Sequence, residues 1–167
     1  MNSFIGIDNG VTGSIGIITI KRATVSSAFI KTPVVKCESY TKKVQHIHRI
    51  DWRGLLENLP MDSFALIERP MVNPRAFTAT QSALRALEAT IIVLEMLGIP
   101  HNYIDSKEWQ GEFIASGIIG HDKMKEASKK IGLKLFPSNG RFIERHGDAD
   151  GLLIAEYARR KYDTLYS

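Results

Sequence analysis

Three acidic residues stand in comparable settings along the chain. Asp8 closes the apolar run FIGI, Glu68 closes FALI, and Asp150 opens GLLIA. Short apolar runs that end on an acid read as buried strands, and the ends of neighbouring central strands converge in space. An acid at a helix start can be lowered onto them from above. Carboxylates gathered in this way repel one another unless a cation neutralises them. Hard divalent ions with oxygen ligands suit such a site, Mg²⁺ first and Mn²⁺ as substitute. Two such ions ~3.5–4 Å apart could activate a water and stabilise the leaving oxygen in phosphodiester hydrolysis. Each acid also has a purely structural reading. Asp8 could cap the Asn9-Gly10 turn, Glu68 could form a surface ion pair beside Arg69-Pro70, and Asp148 and Asp150 could complement a helix dipole. Their joint occurrence at three element ends favours a site.

The elements that must position these acids follow from the pattern. Residues 4–8 read as a first strand, with Asn9-Gly10 and Thr12-Gly13 making a tight turn. Residues 14–20 and 24–31 continue as an antiparallel meander. The polar segment 32–50 is expected to be a loop with little regular structure. Asp51 can cap a short helix that carries Trp52, Leu55 and Leu56 on one face. Residues 63–68 form a fourth strand, after which Pro70 and Pro74 delay helix entry. A long helix opens at Thr78 or Thr80 and runs to about Leu97, where Gly98 stops it. Its apolar stripe is Leu84, Leu87, Ile91 and Leu94, with Ala83 and Ala86 beside it. A fifth strand at 100–104 precedes helices near 106–115 and 122–132. The last helix starts around Gly147 and ends in Arg159-Arg160-Lys161. This order predicts one α/β domain over residues 1–167, a mixed five-stranded sheet flanked by helices.

Bulk properties narrow the partners. The 167 residues suit one compact core, and a net charge of +4 favours an acidic partner such as nucleic acid. The cations cluster at Lys42, Lys43, His46, His48 and Arg49, and again at Lys123, Lys125, Lys129 and Lys130. Each cluster can also be read as a solvated face. No apolar run reaches the ~20 residues of a membrane span, so no membrane partner is expected. The opening residues lack a signal peptide's basic and apolar regions. A single cysteine, Cys37, allows no internal disulfide and no cysteine-built zinc site, and a cytoplasmic protein is expected. His46, His48 and His101 share no metal-ligand spacing.

Three stretches carry a family resemblance. FIGIDNGVTGSIGII resembles the opening strand and hairpin of RuvC-type Holliday junction resolvases. IERPMVNPRAFTATQSALRALEA is similar to their second acidic strand, loop and long helix, and RHGDADGLLIAEYARR to their terminal acidic helix in its phage and chloroplast form. The likeness runs in order through most of the chain, with residues 35–60 poorly matched. It implies an RNase H-like fold of the retroviral-integrase superfamily. It also implies a Mg²⁺-dependent endodeoxyribonuclease, with two ions per site and no organic cofactor, that resolves four-way DNA junctions by paired nicks. By the same resemblance Asp8, Glu68 and Asp150 match the metal-binding acids. The remaining ligand falls about one turn before Asp150, on His146, with Gly147 where some relatives carry an acid. Asp148 is the alternative, disfavoured because it is out of phase with Asp150: residues two apart do not share a helix face. A histidine there could bind metal or carry a proton. Lys107 and Lys123 fall where relatives have basic residues for DNA handling, and Lys123 could supply charge at the scissile phosphate. The loop 69–77 resembles the segment that enters the junction, giving Arg69, Met71, Asn73, Arg75 and Phe77 as DNA contacts. Met71 or Phe77 would wedge or stack on bases, unless they are core, and Arg75 would hold a phosphate. The long helix is the expected element of a two-fold homodimer.

Other readings stay open. A nuclease of this fold could act on RNA or other branched nucleic acid, as YqgF-type relatives do, though their terminal motif differs. Asp8-Asn9-Gly10 and Thr12-Gly13 also suit an actin-like ATPase, but the chain lacks a second glycine-rich loop and a second domain. A non-catalytic junction binder would be indifferent to Asp8→Ala.

Overall fold

The structure, a computed structural model, describes residues 3–22, 24–40, 42 and 45–163, so Lys43 of the first basic cluster lies outside the described residues. In chain order the strands β1 (Ser3–Ile7), β2 (Ser14–Lys21) and β3 (Thr24–Lys31) are followed by β4 (Val34–Glu38), β5 (His46–Ile50) and helix α1 (Trp52–Asn58). Then come β6 (Ser63–Glu68), α2 (Phe77–Met96), β7 (His101–Ile104), α3 (Ser106–Phe113), α4 (His121–Leu135), α5 (Gly140–His146) and α6 (Asp150–Tyr162). The main sheet has the order β3-β2-β1-β6-β7. Its first three strands pair antiparallel, and β1-β6 and β6-β7 pair parallel. This is the expected mixed five-stranded sheet flanked by helices.

Strand alternation divides the core between the two faces. Phe4, Ile18, Phe64 and Leu66 pack with Trp109, Ile143, Leu152 and Ala155 beneath α3–α6. Ile5, Ile7, Ile17, Ala65 and Ile67 pack with Leu55, Ala86, Val93 and Leu94 beneath α1 and α2. The register Ile7↔Ile67 puts Asp8 and Glu68 next to each other just beyond it. Side chains alternate with period two along a strand. Asp8 therefore follows the parity of Phe4, and Glu68 that of Leu66, toward the α6 face.

The approach of α6 depends on glycine. Gly6 and Gly16 are opposite each other in the β1–β2 register. A Cβ at Gly6 would lie 2.1 Å from the Ala155 backbone nitrogen, and one at Gly16 would lie 2.4 Å from the Gly151 carbonyl oxygen. The helix backbone thus rests directly on the strands, with the Gly151 N–H donating to Ser14 Oγ at 3.2 Å. This contact carries Asp150 to the ends of β1 and β6.

Three expectations change. Residues 32–50 are not a featureless loop, because β4 and β5 pair from Val34↔Ile50 to Glu38↔His46 as a separate ribbon. Most of its side chains are exposed, so no apolar alternation marked it; only β-branched Val34, Val35, Ile47 and Ile50 hinted at strand. The last helix begins at Asp150 rather than Gly147, and a short helix, α5, precedes it. Helix α4 extends through 121–135, beyond the expected 122–132. Among the described residues no helix is long and apolar enough to cross a membrane.

Candidate active site

At the carboxyl ends of β1 and β6, Asp8, Glu68 and Asp150 line one cavity of about 280 Å³ together with Thr12, Met71, Trp109 and Lys125. Asp8 is anchored by its backbone N–H, which donates to the Ser14 carbonyl at 3.0 Å. The Trp109 indole, buried in the core, donates to Glu68 Oε2 at 3.0 Å and fixes that carboxylate. Ser128 Oγ donates to Asp150 Oδ1 and accepts from the Ala149 N–H at 3.1 Å, so α4 clamps the start of α6.

His146 and Asp148 both lie beside Asp8. Helix α5 ends at His146, and Gly147 turns the chain at φ +102°, in the left-handed region that favours glycine. Asp148 therefore lies in a loop between two helices, and the helix-phase argument against it does not apply. It is buried, and Asp8, His146 and Asp148 each offer a ligand atom within 4.8 Å of the others. Asp148 Oδ2 accepts from Lys125 Nζ at 3.0 Å. His146 Nε2 lies 3.3 Å from Asp148 Oδ1 but outside hydrogen-bond geometry, so that nitrogen is buried without a hydrogen-bond partner among the described residues.

The electrostatics reflect this crowding. Burial, then the charges of Asp150, Glu68 and Asp148, push Asp8 up to about 8, with His146 opposing. Burial lifts Glu68 to about 7 against the Trp109 hydrogen bond. Burial and Asp148 lift Asp150 to about 6 against the Ser128 hydrogen bond. Asp148 goes the other way: burial works to raise it, but His146 and Lys125 more than offset that and hold it below the usual carboxylate range. Burial works to lower Lys125, yet Asp148 and the other acids raise it on balance. Three carboxylates resisting ionisation beside an orphaned imidazole nitrogen form a donor set that fits a divalent cation.

The remaining candidates separate. Met71 lines the acid cavity and is largely exposed, as is Phe77, so neither is core. Arg75 is exposed on the same loop. Asn73 is engaged internally, with Oδ1 accepting from the Arg75 N–H and its own N–H donating to Thr80 Oγ1, both at 3.0 Å. Arg69 is paired with Asp105 at 3.2 Å and lies over the Tyr103 ring. Lys107 and Lys123 are exposed on α3 and α4 and do not line the cavity, whereas Lys125 does. Helix phase could have found it: residues 121, 125, 128 and 132 share a face, and Ser128 and Gly132 on that face are buried. Trp109 and Ser128 carried no signal in the sequence, because their roles rest on contacts across 41 and 22 positions.

No protein-family model matches the chain, and no curated protein matches it significantly. Solved structures do. A Thermus thermophilus RuvC in complex with a Holliday junction substrate aligns with a TM-score of 0.54 and 17% identity over 96% of each chain. A second Thermus thermophilus RuvC structure gives 0.53 and 16%, over 98% of this chain and 96% of that one. What is shared at these identities is the fold. The chain has a RuvC-type, RNase H-like fold.

Proposed function

We propose that this protein is a metal-dependent endonuclease that resolves four-way DNA junctions. The observation that carries the reading is the convergence of Asp8, Glu68 and Asp150 at the carboxyl ends of adjacent parallel strands, each resisting ionisation in the absence of a cation. Fold alone selects no substrate. The junction reading rests on the terminal motif RHGDADGLLIAEYARR, the exposed loop 69–77, and likeness to a RuvC described with a Holliday junction.

In this reading Asp8, Glu68 and Asp150 hold Mg²⁺ or Mn²⁺, two ions per site, with His146 and Asp148 completing the donor set. When bound, the metal supplies an acidified water and charge neutralisation for phosphodiester hydrolysis. Carboxylate oxygens suit Mg²⁺ and Mn²⁺ alike, so Mn²⁺ should substitute well. Trp109 and Ser128 orient Glu68 and Asp150, and Lys125 adds positive charge beside the phosphate while keeping Asp148 ionised. Met71 and Phe77 meet bases at the junction centre, and Arg75 meets a phosphate. Lys107 and Lys123 act, if at all, as peripheral contacts to the DNA backbone, and Arg69 and Asn73 shape the loop.

A junction with two opposed strands to cut calls for a two-fold dimer. Helix α2 supports one: Ile92 and Met96 are exposed one turn apart, and Leu84 lies two turns before Ile92 on a row that also carries the exposed Glu88.

Cleavage of a synthetic four-way junction beside a linear duplex of matching sequence tests the proposal. Paired nicks on the junction alone, abolished by EDTA and by Asp8→Asn, are expected. Equal cutting of both substrates, or none, would sink junction resolution, and an RNA or other branched substrate would then take its place.

A further inference from the structure

Beside the acid cluster lies a second groove, of about 460 Å³, between the end of β3 and helix α5. It is lined by Thr12, Phe29, Lys31, Lys125, Phe142, Arg145 and His146. Thr12 and Lys125 also line the acid cavity, so the two spaces adjoin across these residues. No carboxylate lines the groove, although Glu144 sits on the same helix.

The lining has two chemistries in register. Lys31, at the end of β3, and Arg145, in the last turn of α5, are exposed and make no ion pair with a described residue. Phe142 stands three residues before Arg145, on the same face of α5, and is 56% exposed. The floor is built separately: Phe29 is buried and meets the His146 ring edge-on at 5.4 Å between centroids. An exposed phenylalanine alone would mean nothing. Here it borders a cationic groove that adjoins the acid cavity.

We propose that this groove seats a single nucleic-acid strand running to the acid cluster, with Lys31 and Arg145 on its phosphates and Phe142 stacked on an unpaired base. The proposal rests on the nuclease reading and adds a substrate form to it. Cations that track a backbone, next to an aromatic face, match what an unpaired strand offers. A duplex keeps its bases paired and stacked, and would use the cations but not the ring. The strand held on the acids therefore leaves the duplex on the α5 side.

The test is binding, which needs no turnover. The protein carrying Asp8→Asn is titrated in Mg²⁺ with a fluorescein-labelled single strand of about eight nucleotides and with a duplex of the same sequence. Phe142→Ala removes an exposed ring and leaves the core intact. It should weaken single-strand binding roughly 5- to 20-fold and duplex binding by less than about twofold. The double variant Lys31→Ala/Arg145→Ala should lower the slope of log affinity against log salt by about 1.4 for the single strand, the equivalent of two phosphates. Single-strand affinities within about twofold of the parent in both variants would overturn the proposal. So would equal losses for single strand and duplex on Phe142→Ala, since a ring that stacks on an unpaired base contributes nothing to duplex binding. Junction cleavage by the unsubstituted protein is scored alongside. If it cuts while the groove variants bind like the parent, only the groove assignment falls; if it cuts no nucleic acid, the nuclease reading itself falls.

Discussion

Burial and three neighbouring carboxylates all oppose the ionisation of Asp8. A carboxylate raised in the folded state binds more protons there than in the unfolded chain, so stability falls as pH rises from the unfolded to the folded value. For Asp8, Glu68 and Asp150 that window runs from the ordinary carboxylate range near 4 up to about 8. Asp148 and Glu156, held low, act in the opposite sense only at more acidic pH. The melting temperature of the metal-free protein should therefore decrease between pH 5 and pH 8, and Mg²⁺ or Mn²⁺ should restore it more at pH 8 than at pH 5. Asp8→Asn should flatten this dependence and, in EDTA at pH 8, stabilise the fold by about 1–2 kcal/mol, roughly 2–8 °C. Differential scanning calorimetry across pH reads both effects, and a melting temperature that climbs with pH in EDTA would contradict the sign.

At the scale of elements, the contact between α6 and the β1–β2 hairpin does most to assemble the site. Gly6 and Gly16 admit the helix backbone where any side chain would collide with it. Gly16→Ala should cost about 3 kcal/mol or more, roughly 6–12 °C in melting temperature, because the new methyl meets backbone that cannot move aside. Whatever folds should also bind Mn²⁺ more weakly, since Asp150 rides on the displaced helix. Isothermal titration with Mn²⁺ and thermal melting measure the two effects, and a variant that melts and binds like the parent would rule this packing out. The short helix α5 has a comparable role. It ends on the Gly147 turn, which sets His146 and Asp148 on either side of one reversal, both facing Asp8.

At the scale of the whole molecule, the proposed pairing of two copies makes its own demand on the surface. Helix α2 spends Ala86, Val93 and Leu94 on its own core but leaves Leu84, Ile92 and Met96 outside. The β4–β5 ribbon stands beside that row: Tyr40, Ile47, Trp52, Arg85 and Ile92 border a groove of about 510 Å³ between them. A two-fold dimer should use this face. Sedimentation velocity should give twice the chain mass, and Ile92→Glu should return it to monomer without a large loss of stability, because the residue is already half exposed. A monomer with and without junction DNA would remove the dimer from the proposal.

The pattern of residues determined a good deal by itself. Two apolar runs ending in acids, a glycine-punctuated hairpin and an acid opening the last helix were enough to predict a mixed five-stranded sheet and nominate Asp8, Glu68 and Asp150, because strand parity and burial are local properties of sequence. The β4–β5 ribbon escaped because it buries little and so carries no apolar period, and α5 because seven residues span only two turns. Which lysine faces the acids, and that His146 and Asp148 both come within reach of Asp8, was decided by tertiary structure. Lys125 reaches Asp148 across 23 positions, and Asp148 reaches Asp8 only after Gly147 has reversed the chain. Sequence specifies which groups are available and which way each element faces. Distances between groups remote in sequence exist only once the helices have packed onto the sheet, and the chemistry of this site depends on those distances.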